Sequence, residues 1–490
     1  MKKFAALILF AIIIFVMFAC ANPGSKENYN TANSETDQTE ETTKETTERY
    51  IPDLPDIDFG GYEFRAFVPI SNIHGNYAFS TGEETGDIIN DAIYTRNRYI
   101  EAKYNVFLKQ TEIEDMWQLS DIFKKSVTSG SDDFDLCVQI GRYGYSLAVE
   151  GYAMRAEELP YLDMTKPWYA YDINETMSVG NIHFIVYSDE CLNLYEGLQA
   201  LCFNKNLIND LGLEVPYDLV YNETWTYDKF FDMCKAATHD VDGDGSMTDN
   251  DRYGVLSQID MFISNFWVCA GIKTVVKDSD NMLVLNTVGN ERLINVLEKT
   301  RQNLYGGEKI YFDAYVDIKG NTDREVSHQQ FENNRGLFYS AQMAMVPYMR
   351  GMETDFGIVP FPKENENQSR YYTRVIDAWP KIVPNNAPDP ERTSIILEAV
   401  AAESKSTTVP AYKEISLRTK FTRDNESSEM IDIIFNNAVM DLGDIMWLEI
   451  RSPFIYEASG NGNFVSVAEK NAKSFQRLLD KVNNAAADLS

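Results

Sequence analysis

The sequence predicts an α/β protein built on parallel, helix-covered sheets, and three stretches carry that prediction. Tyr62-Glu63-Phe64-Arg65-Ala66-Phe67-Val68 alternates as a strand, Ile89, Ala92, Ile93 and Ile100 recur at helical spacing, and Val106-Phe107-Leu108 supplies the next strand. A second helix, Trp117–Val127, leads to a third strand at Phe134-Asp135-Leu136-Cys137-Val138-Gln139-Ile140. Further on, Leu198-Gln199-Ala200-Leu201-Cys202-Phe203-Asn204 reads as a buried strand feeding a short helix, Lys205–Leu211, stopped by Gly212. Strands alternating with helices imply parallel sheets whose ligands lie beyond the carboxyl ends of the strands.

At 490 residues the chain is long enough for two or three domains or one large bilobal body. Its formal charge of -31 argues against nucleic acid, which needs clustered lysine and arginine, and against anionic lipid. Lys2 and Lys3 precede an apolar run from Phe4 to Ala19, short for a membrane span and suited to the core of a secretory signal. Met17-Phe18-Ala19-Cys20 resembles a bacterial lipobox, although Met17 and Phe18 depart from the usual pattern. The resemblance implies cleavage before Cys20 and lipidation (palmitate) of that cysteine; the alternative is an uncleaved anchor with an incidental cysteine. Residues 21–49 are polar and almost without apolar side chains, so a flexible tether is expected there. The remaining cysteines, Cys137, Cys191, Cys202, Cys234 and Cys269, are odd in number and lie in apolar surroundings, and mostly free, buried thiols are expected. There is no internal repeat.

After Val215-Pro216 and Glu223-Thr224-Trp225-Thr226, the residues Tyr227, Phe230, Phe231 and Cys234 share one helical face behind a threonine cap. A strand ending in Phe-Asn-Lys, a helix ending at Leu-Gly-Leu, a proline, then Thr-Trp-Thr-Tyr-Asp resembles the family 1, carbohydrate-type extracellular solute-binding lipoproteins of bacterial ABC importers. Glu158-Leu159-Pro160-Tyr161-Leu162-Asp163, Gly180-Asn181-Ile182-His183-Phe184, Met343-Ala344-Met345 and Asp355-Phe356-Gly357-Ile358-Val359-Pro360-Phe361-Pro362-Lys363 extend the resemblance over nearly the whole body. It implies a bilobal periplasmic-binding-protein-like fold of type II, with a ligand cleft between two α/β lobes. The expected division is 1–19 signal peptide, 20–57 lipidated cysteine and tether, 58–197 plus 349–385 first lobe, and 198–348 plus 386–490 second lobe. Crossings, and therefore bending, are expected near Gly197 and Tyr348. Tyr412-Lys413, Lys420-Phe421-Thr422-Arg423-Asp424 and Asp441-Leu442-Gly443 resemble a carbohydrate-binding subset of the family, and Val465–Leu489 reads as a terminal amphipathic helix.

Candidate ligand-binding residues follow. Arg142 and Tyr143, at the end of the third strand, offer forked donors and a flat apolar face, which suit a sugar's hydroxyls and its C–H face; the alternative is an ordinary turn. Trp168, Tyr169, Trp267, Tyr348 and Trp379 are candidates to line the cleft, with a core position as the alternative for Trp168, Tyr169 and Trp267. The run Asp240-Val241-Asp242-Gly243-Asp244-Gly245-Ser246 through Asp251 fits the calcium-loop scheme, with Asp240, Asp242, Asp244, Ser246 and Asp251 as metal candidates. Position twelve is aspartate instead of glutamate, and a strand follows, so a structural calcium in a helix-loop-strand unit is expected.

His74, His183, His239 and His328 form no zinc motif, and neither a Gly-x-Ser-x-Gly elbow nor a phosphate-binding Gly-Lys loop occurs. The expectation is a monomeric, non-enzymatic receptor held at the outer face of the cell membrane by its lipid, which captures a carbohydrate by lobe closure and hands it to the membrane-spanning subunits of an ABC importer. The alternatives are a surface glycan hydrolase and a lipoprotein that binds peptide or couples to a sensor.

Overall fold

The computed structural model describes residues 49–70, 78–313, 325–376, 378–418 and 425–489. The signal segment, Cys20, most of the expected tether and the Lys420–Asp424 stretch lie outside them. In chain order the elements are β1 (Tyr62–Pro69), α1 (Ile88–Tyr104), β2 (Val106–Ile113), α2 (Leu119–Ser129), β3 (Leu136–Val138), α3 (Gly141–Val149), α4 (Tyr171–Met177) and α5 (Asn193–Glu196). They continue with β4 (Gln199–Asn204), α6 (Lys205–Leu211), α7 (Pro216–Tyr221), α8 (Tyr227–Ala237), β5 (Tyr253–Ser257), α9 (Ile259–Val268), β6 (Val275–Lys277), β7 (Leu283–Leu285), α10 (Glu291–Tyr305), β8 (Tyr311–Asp313) and α11 (Glu325–Glu332). The last are β9 (Gly336–Gln342), β10 (Phe356–Pro360), β11 (Thr373–Arg374), β12 (Lys381–Ile382), α12 (Pro390–Ser406), α13 (Thr408–Arg418), α14 (Asn425–Asn436), β13 (Ala438–Val439), α15 (Leu442–Met446), α16 (Leu448–Ser459) and α17 (Phe464–Ala487).

Two main sheets organise these elements into two lobes. The first runs β12-β3-β1-β2, with β1 parallel to both β2 and β3. The second runs β10-β4-β9-β5-β8, with β5 parallel to β8 and β9, and β4 antiparallel to its neighbours. Local chemistry agrees with this layout. Asp87 accepts hydrogen bonds from the Ile89 and Asn90 amides to start α1, Asn204 accepts from Leu207 to start α6, and Gly212 ends α6 in the left-handed region. Thr226 occupies the N-cap of α8 as expected, but its side chain makes no capping bond. The helical face of Tyr227, Phe230 and Phe231 enters an aromatic core with Trp225, Phe266 and Phe361, in which Phe231 and Phe266 stack with centroids 5.5 Å apart. The five described cysteines are free and buried.

The lobes meet where three chain segments pass side by side. Leu198 bridges Val375 in antiparallel fashion, Ile376 N–H donates to Gly197 O at 2.9 Å, and Met343 N–H donates to Leu198 O at 2.9 Å. The first crossing is therefore at Gly197, as expected, but the return is at Val375–Ile376 and not at Tyr348. Residues 343–351 form a 3-10 helix, after which the chain re-enters the second sheet through β10. Phe356–Pro360 thus leaves the expected first lobe, because its apolar residues are fully buried against β4. Conversely α12, expected in the second lobe, packs on α1 of the first.

A Cβ at Gly197 would stand 1.9 Å from Ile376 O, so the crossing needs a residue without one. Gly197→Ala is expected to lose roughly 1–3 kcal/mol of stability through overpacking, read as a lower denaturant midpoint in equilibrium unfolding.

Candidate functional site

The carboxyl end of β3 turns directly into α3, which carries Arg142 and Tyr143 on its first turn. A Cβ at Gly141 would meet Ala378 O at 2.8 Å and the Tyr187 hydroxyl at 2.9 Å, so this turn sits tight against the crossing segment. Arg142 and Tyr143 line an open cavity of about 320 Å³ together with Trp447, Leu448 and Glu449 and with Leu478 and Lys481 of α17. The Arg142 guanidinium lies 4.8 Å from the Tyr143 ring centre, Trp117 meets that ring edge-on at 6.3 Å, and Trp447 meets Tyr145 edge-on at 6.3 Å. Since α16 and α17 pack with α10 and β7 beside the second sheet, the cavity has walls from both lobes. Lys481 and Lys124 also converge on Glu150 at 2.7 and 2.8 Å across the same seam. Burial alone would raise the Glu150 carboxyl; the bonds from the two lysines outweigh it and hold it at about 2.

Several strand ends are polar. Gln139 follows β3, Gln258 follows β5, and Gln199 opens β4 directly opposite Gln342, the last residue of β9. All four are buried. A separate cavity of about 410 Å³ lies between α4 and residues 268–273 and 438–441, lined by Asp172, Glu175, Lys273, Arg370 and Tyr372.

The other aromatic candidates are not brought to the first cavity. Trp168 and Tyr169 are core residues whose Nε1–H and hydroxyl donate to the buried Glu398 carboxylate of α12, so both rings are spent on packing. Trp267 is fully buried and its Nε1–H donates to Asp441 at 3.3 Å, which leaves no face for a stacking ligand. Trp379 lies buried in the crossing segment, its amide donating to Asn193 Oδ1 at 3.1 Å and its carbonyl accepting from Cys191 Sγ at 3.1 Å. Tyr348 is half exposed on the 3-10 helix. Trp447 and Trp117 were missed by the sequence reading. Trp447 falls between the two helices α15 and α16 and so breaks the apolar periodicity, which is the signal that could have found it.

In the aspartate run, Asp240, Asp242 and Asp244 bring carboxylate oxygens within 4.8 Å of one another. The loop is closed at its base by a His239–Arg252 bridge, and Gly243 and Gly245 take positive φ. The Asp244 amide lowers the Asp242 carboxyl, but burial and the charges of Asp244, Asp251 and Asp240 outweigh it and raise that group. These donors fit a hard divalent cation with oxygen ligands. Asp251 instead accepts from the Val241 and Thr248 amides, both at 2.7 Å, which lower its carboxyl. Ser246 donates its amide to Asp244 Oδ1 at 2.7 Å.

No protein-family model matches the sequence, and no curated protein matches it. Solved structures do. A sugar transporter from Rhizobium etli in an open conformation superposes with a TM-score of 0.56 at 13% identity, covering 87% of this chain and 99% of the other. The GacH receptor of Streptomyces glaucescens, solved unliganded and with acarbose, gives 0.53 at 13% identity over 86% and 99%. A cyclo/maltodextrin-binding protein complexed with maltotetraose gives 0.52 at 12% identity over 87% and 96%. At such identities the likeness establishes the fold: the bilobal, periplasmic-binding-protein-like architecture of solute-binding proteins.

Burial pushes the Glu398 carboxyl up to about 7, against the hydrogen bonds from Tyr169, the Asp163 amide and Trp168. The folded state then holds the proton more tightly than the unfolded chain. The stability this group contributes is fully present below its ordinary value of 4.5 and is lost as pH rises through about 7. Thermal midpoints measured from pH 4 to 8 should show a fall that is shallower in Glu398→Gln than in the native chain.

Proposed function

We propose that this chain is a solute-binding receptor that captures a carbohydrate between its lobes and passes it to an ABC importer at the outer face of the cell membrane. The observation that carries the reading is the cavity walled by Arg142 and Tyr143 from one lobe and Trp447 and Glu449 from the other. Aromatic faces suit the C–H surface of a pyranose, while the guanidinium fork and the carboxylate suit its hydroxyls. The solved structures of like fold include proteins described as a maltodextrin-binding protein and as a sugar transporter, and they support the same class of ligand. Lobe closure about the crossing at Gly197 and Ile376 would bring the two walls together without chemistry on the ligand.

Membrane attachment through Cys20 and export by the N-terminal segment belong to this proposal, as does a monomeric receptor. Among the described residues no helix is long and apolar enough to cross a membrane. The proposal also includes a calcium ion held by Asp240, Asp242, Asp244 and Ser246, with Asp251 bracing the loop. Its positive charge would relieve the repulsion that raises the Asp242 carboxyl, in a structural role.

Titration calorimetry with maltotetraose and other neutral oligosaccharides tests the receptor reading. Binding with the sugar recovered intact is expected, and Trp447→Ala is expected to weaken it by about tenfold or more. Intact affinity in that variant would remove the cavity from the proposal, and consumed sugar would replace it with a hydrolase. For the metal, adding a chelator should lower the thermal midpoint of the native chain and leave Asp240→Asn unmoved.

A further inference from the structure

The cavity between Arg142 and Trp447 holds a charge that the fold itself does not use. Arg142 is half-buried on the first turn of α3 and lines the cavity, and among the described residues no carboxylate pairs with its guanidinium. Its described contact is the Tyr143 ring, whose centre is 4.8 Å away. The place is an unfavourable one for a cation. The amino-terminal end of a helix carries partial positive charge, the first turn of α3 contains no acidic residue, and Ile140 at its N-cap makes no side-chain capping bond.

The other charged groups of the lining, Lys481 and Glu449, have a place in the fold. Lys481 is bound to Glu150 at 2.7 Å, and Lys124 reaches the same carboxylate at 2.8 Å. Glu449 is exposed on the first turn of α16, the end of a helix where a carboxylate is favoured. Arg142 and Glu449 line the same cavity without pairing with each other. Counting Arg142, Lys124 and Lys481 against Glu150 and Glu449 leaves the local balance positive, in a chain whose formal charge is -31.

We infer that the ligand carries a carboxylate, as the units of an acidic oligosaccharide do, and that Arg142 pairs with it, an inference that rests on the receptor reading above. The planar guanidinium presents parallel N–H donors that match the two oxygens of a carboxylate, and such charged bonds are shorter and stronger than those to a neutral hydroxyl. A uronic acid joins that group to a pyranose ring whose C–H face suits Tyr143 and Trp447. Glu449 accepts from the remaining hydroxyls. A neutral sugar meets the guanidinium through hydroxyls alone, so it binds more weakly. The charge of the whole chain repels anions at long range, but at about 0.15 M salt that repulsion is screened beyond roughly 8 Å, while a partly buried pair is screened much less.

The test uses the full chain purified in detergent and titrated with tetragalacturonate and tetramannuronate, each against its own methyl ester, which keeps the ring and linkage and removes the charge. At least one acid is expected to bind about tenfold or more tightly than its ester. Arg142→Gln should abolish that preference, and Arg142→Lys, which keeps the charge without the fork, should keep part of it. Without ligand, Arg142→Gln should melt at or above the native temperature, because a cation has left the positive end of α3. Acids bound no more tightly than their esters, or maltotetraose bound while every acid is refused, would overturn the inference and leave the receptor reading intact. A preference that survives Arg142→Gln, or a lowered ligand-free midpoint in that variant, would overturn it as well. If acids, esters and maltotetraose all fail to bind the native chain, the receptor reading fails and takes this inference with it.

Discussion

Everything in this architecture depends on the contact between Gly197 and Ile376. Three segments from distant parts of the chain lie side by side there, joined by the Leu198–Val375 bridge and by amide bonds from Ile376 and Met343. Closeness at this point is set by the missing Cβ of Gly197, which admits the Ile376 carbonyl. Buried apolar residues run continuously from one lobe to the other, and the narrow, hydrogen-bonded crossing keeps the register of the two lobes at that point. The walls of the cavity belong to different lobes for the same reason.

Beside the crossing, a buried arginine is matched to a buried aspartate. Arg374 and Asp444 are both fully buried, with a bidentate pair at 2.7 and 3.1 Å and further bonds from Arg374 to Met261 O at 3.0 Å and Asn265 Oδ1 at 3.3 Å. Such a pair adds little net stability relative to an apolar substitute, because desolvation offsets the attraction, but removal of one partner is severe. Its effect here is positional: it ties β11 of the crossing to α15 and α9, and so orients the chain that runs on to Trp447. Asp441 works similarly. Burial raises its carboxyl to about 6, although bonds from Thr274 and Trp267 oppose the rise, and it fixes the start of α15.

Much of this was legible in the sequence, and the failures share a cause. The β-α-β order of 62–140, the strand, helix and glycine stop of 199–212, and the apolar face of Tyr227, Phe230 and Phe231 follow from periodicity, and periodicity is local. Arg142 and Tyr143 could be placed because they adjoin a strand end. Trp267, Trp168 and Tyr169 look the same in sequence whether they face a ligand or a core, and their buried partners, Asp441 and Glu398, lie 174 and at most 230 residues away. The return crossing was misplaced because the buried apolar strand Phe356–Pro360 carries no mark of which sheet it joins. Trp447 was overlooked because its role comes from a helix of one lobe facing α3 of the other.

The central claim is that the two lobes close on a sugar. Single-molecule energy transfer between dyes at Ser129→Cys on the first lobe and Asp232→Cys on the second, both exposed positions, measures it most directly. The account predicts a saturable shift in transfer efficiency on adding a bound oligosaccharide, reversed when the sugar is removed. An efficiency unchanged at sugar concentrations that saturate binding would contradict lobe closure.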